Sequence, residues 1–125
     1  MYSEKIMEEF LEPKNYGVIR GASGVGKVIS DVGGEIVKIF IKVEEDTIVD
    51  CQFQTFGGVV AIALTSMATG LMMGKKLEEI TQMTSADLLE VSGEIPDNKT
   101  YLVSIVVNAM KKAVLNVGKK SKEED

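Results

Sequence analysis

A chain of 125 residues with 45% apolar and 26% charged side chains has the size and balance of one globular domain, able to bury a core without metal or disulfide staples. Its net charge of −5 excludes a broad nucleic-acid face, which needs basic residues to release counterions. One cysteine and no histidine exclude an internal disulfide, a Cys/His zinc cage and a histidine general base.

Ser3 is placed to cap a first helix, with Glu4 in its first turn. Ile6, Met7, Phe10 and Leu11 fall at helical spacing and predict an apolar stripe that lids a sheet. The other face carries Glu4, Glu8, Glu9 and Glu12 and could meet a basic partner. Pro13 ends the helix, and Asn15-Tyr16-Gly17 reads as a turn. Because Met1 is followed by a charged amphipathic segment, no secretory signal is expected, and the location predicted is cytoplasmic.

Gly21-Ala22-Ser23-Gly24-Val25-Gly26-Lys27-Val28 nearly fits a phosphate loop of the G-x-x-x-x-G-K-[ST] kind, with Gly21, Gly26 and Lys27 as the matching residues. Val28 stands where a hydroxyl would hold magnesium, and no helical stripe follows before Gly33-Gly34. The competing reading is a flexible lead-in to a strand.

From Glu35 the alternation is plain. Val37, Ile39, Ile41 and Val43 share one face; Ile36, Lys38, Phe40 and Lys42 share the other. After the polar turn Glu44-Glu45-Asp46, Val49, Cys51, Phe53 and Thr55 alternate with Ile48, Asp50, Gln52 and Gln54. Two such runs predict an antiparallel hairpin, completed to three strands by the segment near 25–32. Cys51, between Val49 and Phe53, is expected to be a core thiol.

Gly57-Gly58 breaks the last strand. Val59 to Met73 is apolar nearly all round, predicting a buried central helix that Gly74 ends, with Met67, Met72 and Met73 filling core gaps. This run is too short to cross a bilayer. A short helical turn is expected at Leu77–Ile80, and a further helix capped by Thr84 or Ser85. A last helix is expected from about Lys99 to Val117, with Ser104, Asn108, Lys111, Lys112 and Asn116 as its polar stripe. Residues 1–118 are expected to form a single domain, and 119–125 a disordered charged tail.

Two stretches carry a family resemblance. Tyr2-Ser3-Glu4-Lys5 through Glu12-Pro13-Lys14-Asn15-Tyr16-Gly17 resembles the opening Y-S-x-x-[VIL] … x-P-[RK]-N-x-G of the NifU/IscU iron–sulfur cluster assembly scaffolds. Phe53-Gln54-Thr55-Phe56-Gly57, followed by Ala61-Ile62-Ala63, resembles their F-x-[TG]-[YF]-G and A-I-A. The resemblance implies an α+β fold of the SufE/NifU kind: a three-stranded antiparallel sheet, an N-terminal helix and a C-terminal cluster of helices packed on one face. It also implies that the family's three ligand cysteines fall at Gly33, Gly58 and Leu102, with Glu35 for the aspartate and Tyr101 for the histidine. Thiolates are what bind iron in such a site and accept sulfur, and none stands there.

The resemblance therefore implies a scaffold homologue that holds no cofactor and is not an enzyme. It would regulate or adapt, docking a cysteine desulfurase or another assembly factor through Tyr2, Ser3, Lys5, Pro13, Asn15 and Lys99, with no nucleic acid and no membrane. The chaperone-recognition loop of the family would fall at Ile95-Pro96-Asp97-Asn98-Lys99. The alternatives are residual metal binding through Glu35, Tyr101, Cys51 or a partner's thiols, and a small-molecule or nucleotide pocket at the emptied site or at Gly21–Lys27.

Overall fold

The computed structural model describes residues 2–119, so the charged tail expected from residue 119 lies, from residue 120 on, outside the described residues. Helix α1 (Glu4–Leu11) starts where predicted, because the Ser3 hydroxyl accepts a hydrogen bond from the Ile6 N–H at 3.2 Å. It does not lid the sheet; it lies against the central helix. Of its apolar stripe only Ile6 is fully buried, and Leu11 is exposed. Nor is Glu9 part of a free acidic face. Its carboxylate accepts from the Ser66 hydroxyl at 2.6 Å and pairs with Lys14 at 2.7 Å, which turns α1 onto the helix that carries Ser66.

The chain then runs along the sheet's far edge. Asn15 adopts a left-handed φ of 61°, and the Asn15 carbonyl and Gly17 N–H bond to Phe53, with the Tyr16 ring set edge-on to Phe53 at 5.1 Å. From there it reaches β1 (Gly24–Ile29), which pairs antiparallel with β2 (Ile36–Glu44), which pairs antiparallel with β3 (Thr47–Phe56), in spatial order β1-β2-β3.

The inward face is Gly24, Gly26 and Val28 on β1; Val37, Ile39 and Ile41 on β2; Cys51, Phe53 and Thr55 on β3. One expectation fails here. Between Lys42 and Val43 the register shifts: Lys42 pairs with Asp50 but Val43 with Ile48, leaving Val49 as the extra residue of a bulge. The alternation slips by one, so Ile48 turns into the core and Val49 faces out. Phe40 shares the outward face with Lys38 and Lys42, as its alternation predicts, yet it is only 1% exposed.

Helix α2 (Val59–Met72) runs beneath the sheet, buried on nearly every side. Met73 caps its end and is partly exposed, so it fills no core gap, whereas Met67 and Met72 do. Gly74 follows at φ 80° and donates to the Ile48 carbonyl, tying the helix end to β3. The short α3 (Leu77–Thr81) and α4 (Ser85–Ser92) follow, the latter capped by Thr84 accepting from the Asp87 N–H. A single 3-10 turn (Asp97–Lys99) leads into α5 (Tyr101–Leu115), shorter at both ends than expected.

Helix α5 lies on β1 so closely that a Cβ on Gly24 or Gly26 would meet the carbonyl oxygens of Ala113 and Ala109. These glycines admit the helix backbone. Gly24-Val25-Gly26-Lys27 is thus a strand paired to β2, and no helix opens after it. Among the described residues no helix is long and apolar enough to cross a membrane.

Candidate functional site

Three junctions meet at one end of the sheet: the β1–β2 turn, the β3–α2 turn and the start of α5. The β1–β2 turn is held by Ser30. Its hydroxyl accepts from the Val32 and Gly33 N–H groups at 3.2 and 3.3 Å, its carbonyl accepts from Gly34, and its own N–H donates to the Glu35 carbonyl. Gly34 supplies the left-handed φ of 76° that the turn demands. The turn thereby swings the Glu35 side chain inward, leaving it 7% exposed.

Helix α5 brings Tyr101 to meet it. The phenol donates to Glu35 Oε2 at 2.5 Å, a short charge-assisted bond. The other carboxylate oxygen, Oε1, is buried and has no hydrogen-bond partner among the described residues, and neither has the buried Thr55 hydroxyl at the same end of β3. Burial pushes the Glu35 carboxyl up, but the bond from Tyr101, its own backbone N–H, Ser30 and the Lys99 charge outweigh it and hold the carboxyl below its usual range. The same bond, with burial and the carboxylate charge, raises the Tyr101 phenol.

These two side chains occupy the place where a residue larger than glycine at position 33 would project. A Cβ there would lie 2.5 Å from the Tyr101 hydroxyl and 2.6 and 2.7 Å from the Glu35 oxygens. Gly57 is also constrained, since a Cβ would lie 3.0 Å from both Ala61 Cβ and Glu35 Cγ. Gly58 differs: nothing lies within 4 Å of a Cβ built on it. It caps α2 with backbone alone and faces a recess of about 40 Å³ whose walls include Tyr2, Glu35, Lys99 and Leu102. Leu102 is buried and plugs the floor.

The five positions Gly33, Glu35, Gly58, Tyr101 and Leu102 therefore do converge. Cys51 does not join them. It is fully buried, with Sγ 3.8 Å from Met72 Sδ at the other end of α2, about 20 Å along the helix from Gly58 at 1.5 Å per residue. Burial, with the Asp50 charge, pushes its thiol up to about 12, so it stays protonated. Among the described residues no three His, Cys, Asp or Glu come together in a way that could hold a metal ion.

The residues expected to meet a partner divide into two kinds. Ser3 is a helix cap, the Lys14 N–H beside Pro13 donates to Ser66 Oγ, and Asn15 donates to Thr69 Oγ1, so this stretch is committed to α2. Tyr2 and Lys5 are exposed, and Lys99 is half-buried beside Glu35. Ser30 is not among the residues the sequence singles out, and Gly57 reads there only as a strand breaker and motif residue. Ser30-Asp31 before Gly33-Gly34 is turn chemistry that could have flagged the first; the close approach of Glu35 to Gly57 has no local signal.

The NifU-like N-terminal domain family matches residues 1–124. The iron–sulfur cluster assembly scaffold protein IscU 1 of Archaeoglobus fulgidus is 38% identical over 125 residues, covering 100% of this chain and 82% of that one. The scaffold protein IscU of Aquifex aeolicus is 35% identical, covering 90% and 73%. The crystal structure of a nitrogen-fixing NifU-like protein (N-terminal) from Brucella abortus has the same fold, with a TM-score of 0.75 over 95% of each chain at 14% identity. By both its sequence and its helix–sheet–helix order, the chain belongs to the NifU-like N-terminal domain family of iron–sulfur cluster assembly scaffolds.

Proposed function

We propose that this chain is a scaffold-family protein that holds no cluster itself and acts by docking a cysteine desulfurase or another assembly factor. One observation carries the first half: the Tyr101–Glu35 pair fills the space at Gly33. A hydrogen-bonded phenol and one carboxylate are hard donors, and a sulfur-rich iron cluster is held by thiolates. The only thiol is protonated and sealed at the far end of α2. The second half is supported by the relatives, which are named as assembly scaffolds, and by an N-terminal segment held in one conformation against α2. The relatives are named as scaffold proteins, which fits a role without catalysis.

Anaerobic reconstitution with ferrous iron and sulfide, then gel filtration, tests the first half. The protein should elute colourless; stoichiometric iron and sulfide would overturn it. Calorimetric titration with a cysteine desulfurase from an iron–sulfur assembly system tests the second. Micromolar binding is expected, and none would overturn it.

A second reading, a small ligand at the emptied site, is favoured by one atom, the unpartnered Glu35 Oε1. At about 10–15 Å³ per water, a recess of about 40 Å³ suits a few waters or a comparably small solute, not a nucleotide.

A further inference from the structure

The recess at the head of α2 gathers three unmet needs. Val59, Val60 and Ala61 open the helix, line the recess and, as at any helix start, have no acceptor inside the helix. Gly58 caps them without a side-chain oxygen, and Val60 and Ala61 are buried. Glu35 is a second wall. It is 7% exposed, and its Oε1 has no hydrogen-bond partner among the described residues. Lys99 is a third, a half-buried ammonium whose charge acts on Glu35.

Those needs define an occupant. The orphan N–H groups, the positive end of the helix dipole and Lys99 all call for an acceptor that carries negative charge. Glu35 Oε1 calls for a donor. An anion without a proton would face the carboxylate with nothing to share between them, and a cation would face Lys99 and the helix dipole. Size narrows the choice further. A recess of about 40 Å³ has room for roughly three waters, or one ion of about four heavy atoms.

We propose that the recess binds a small oxyanion that keeps one proton, and that hydrogencarbonate is the ion that fits. Its charged oxygens accept from the first turn of α2 and from Lys99, and its O–H donates to Glu35 Oε1, a charge-assisted bond. Tyr101 holds Oε2, which leaves Oε1 as the carboxylate oxygen for the ligand. The inference rests on the small-ligand reading above and names the ligand of that reading; the docking role does not depend on it.

Nitrate supplies the test, because it matches hydrogencarbonate in shape, size and charge but has no O–H. Formamide supplies a second control, neutral and with both a donor and an acceptor. The isotope-labelled chain is titrated with each at matched ionic strength and mildly alkaline pH. Hydrogencarbonate should shift amides at 35, 58–61 and 99–102 and saturate in the millimolar range, which four heavy atoms can support. Nitrate should bind several-fold more weakly. Equal binding of the two ions overturns the proposal, as do hydrogencarbonate shifts that lie elsewhere or never saturate. Glu35→Gln, bonded to Tyr101 through its carbonyl, offers the recess an N–H where the parent offers a lone pair. It should erase or reverse the preference over nitrate; a preference kept in that variant overturns the proposal. Gly58→Ser places a hydroxyl on the orphan N–H groups and should weaken both ions several-fold, and unchanged binding again overturns it. If formamide alone moves these amides, the recess takes a small ligand but not an oxyanion. If none of the three probes moves them, the small-ligand reading falls as well.

Discussion

Helix α2 is flanked by two polar clusters built to opposite rules. Along its middle, Ser66 and Thr69 receive the N-terminal segment, and the groups meeting there are matched. The Ser66 hydroxyl donates to Glu9 and accepts from the Lys14 N–H, and Thr69 accepts from Asn15 while donating to the Ser66 carbonyl. At its N-terminus, Glu35 and Tyr101 share one short bond and leave a buried carboxylate oxygen with none. A fully matched buried network fixes one geometry, while an unmatched polar atom is a standing cost that folding alone does not require. The first cluster is architecture. The second occupies the ground where the family resemblance puts metal ligands, and it fills that ground imperfectly.

The largest effect should come from breaking the matched cluster. Ser66→Ala strips the partner from the Lys14 N–H and removes one of the two donors to Glu9 Oε2, which keeps the Lys14 ammonium at 2.8 Å. A loss of about 2–3 kcal/mol is expected, read as a lower urea midpoint at unchanged slope. A loss below about 0.5 kcal/mol would mean the seam is held by apolar contact through Ile6, and the contrast between the clusters would collapse.

Gly33→Ala should follow, at about 1–2 kcal/mol, because the new methyl must displace the Tyr101 hydroxyl or the Glu35 carboxylate. In a Tyr101→Phe background the same substitution should cost less, since the obstructing oxygen is gone; an equal cost in both would show that the pair does not fill this space.

The pair also sets a dependence on pH. Glu35 titrates lower in the folded chain than in the unfolded one, so it stabilises the fold at neutral pH. That contribution is lost as pH falls through the folded value, below the usual carboxylate range. Tyr101→Phe removes the chief lowering influence and leaves burial, which acts the other way. The gap between Tyr101→Phe and the parent should therefore be widest at pH 7 and narrow as pH falls through the usual carboxylate range and below it. A gap that stays constant would place the tyrosine's role in packing, not in the bond to Glu35.

Legibility in the sequence follows the same division. Period-two alternation and helical spacing report on which side a residue lies, so β2, β3, the buried α2 and the α5 stripe could be read directly, whereas β1 is inferred near 25–32 only to complete the sheet and ends at Ile29, with 30–32 in the turn. The phase slip at Val49 could not, because a bulge is a property of two strands pairing, and each strand alone still alternates. The burial of Phe40 depends on what covers the outer face, which no local pattern encodes. Glu35 and Tyr101 were each found through the resemblance, but a bond between residues 66 apart is invisible until the fold closes, and so is the blocked space at Gly33. The N-terminal motif shows the same limit. Pro13 and Asn15 read as a docking signature, and they lie in a stretch whose backbone and side chain are bonded to α2.

The smallest effect sharpens the comparison most, because it should have the opposite sign. Gly33 and Gly58 stand on facing turns of one site, yet a Cβ at 33 collides and a Cβ at 58 meets nothing. Gly58 is the N-cap of α2, offers no side-chain oxygen, and already has extended backbone angles of φ −89° and ψ −162°. Gly58→Ser supplies that oxygen to the orphan N–H groups of the first turn, so it should stabilise by a few tenths of a kcal/mol. Hydrogen exchange at Val60 and Ala61 should slow accordingly. Destabilisation instead would mean that the recess at the head of α2 already holds something the serine displaces, and the small-ligand reading of Glu35 Oε1 would then take precedence over the empty one.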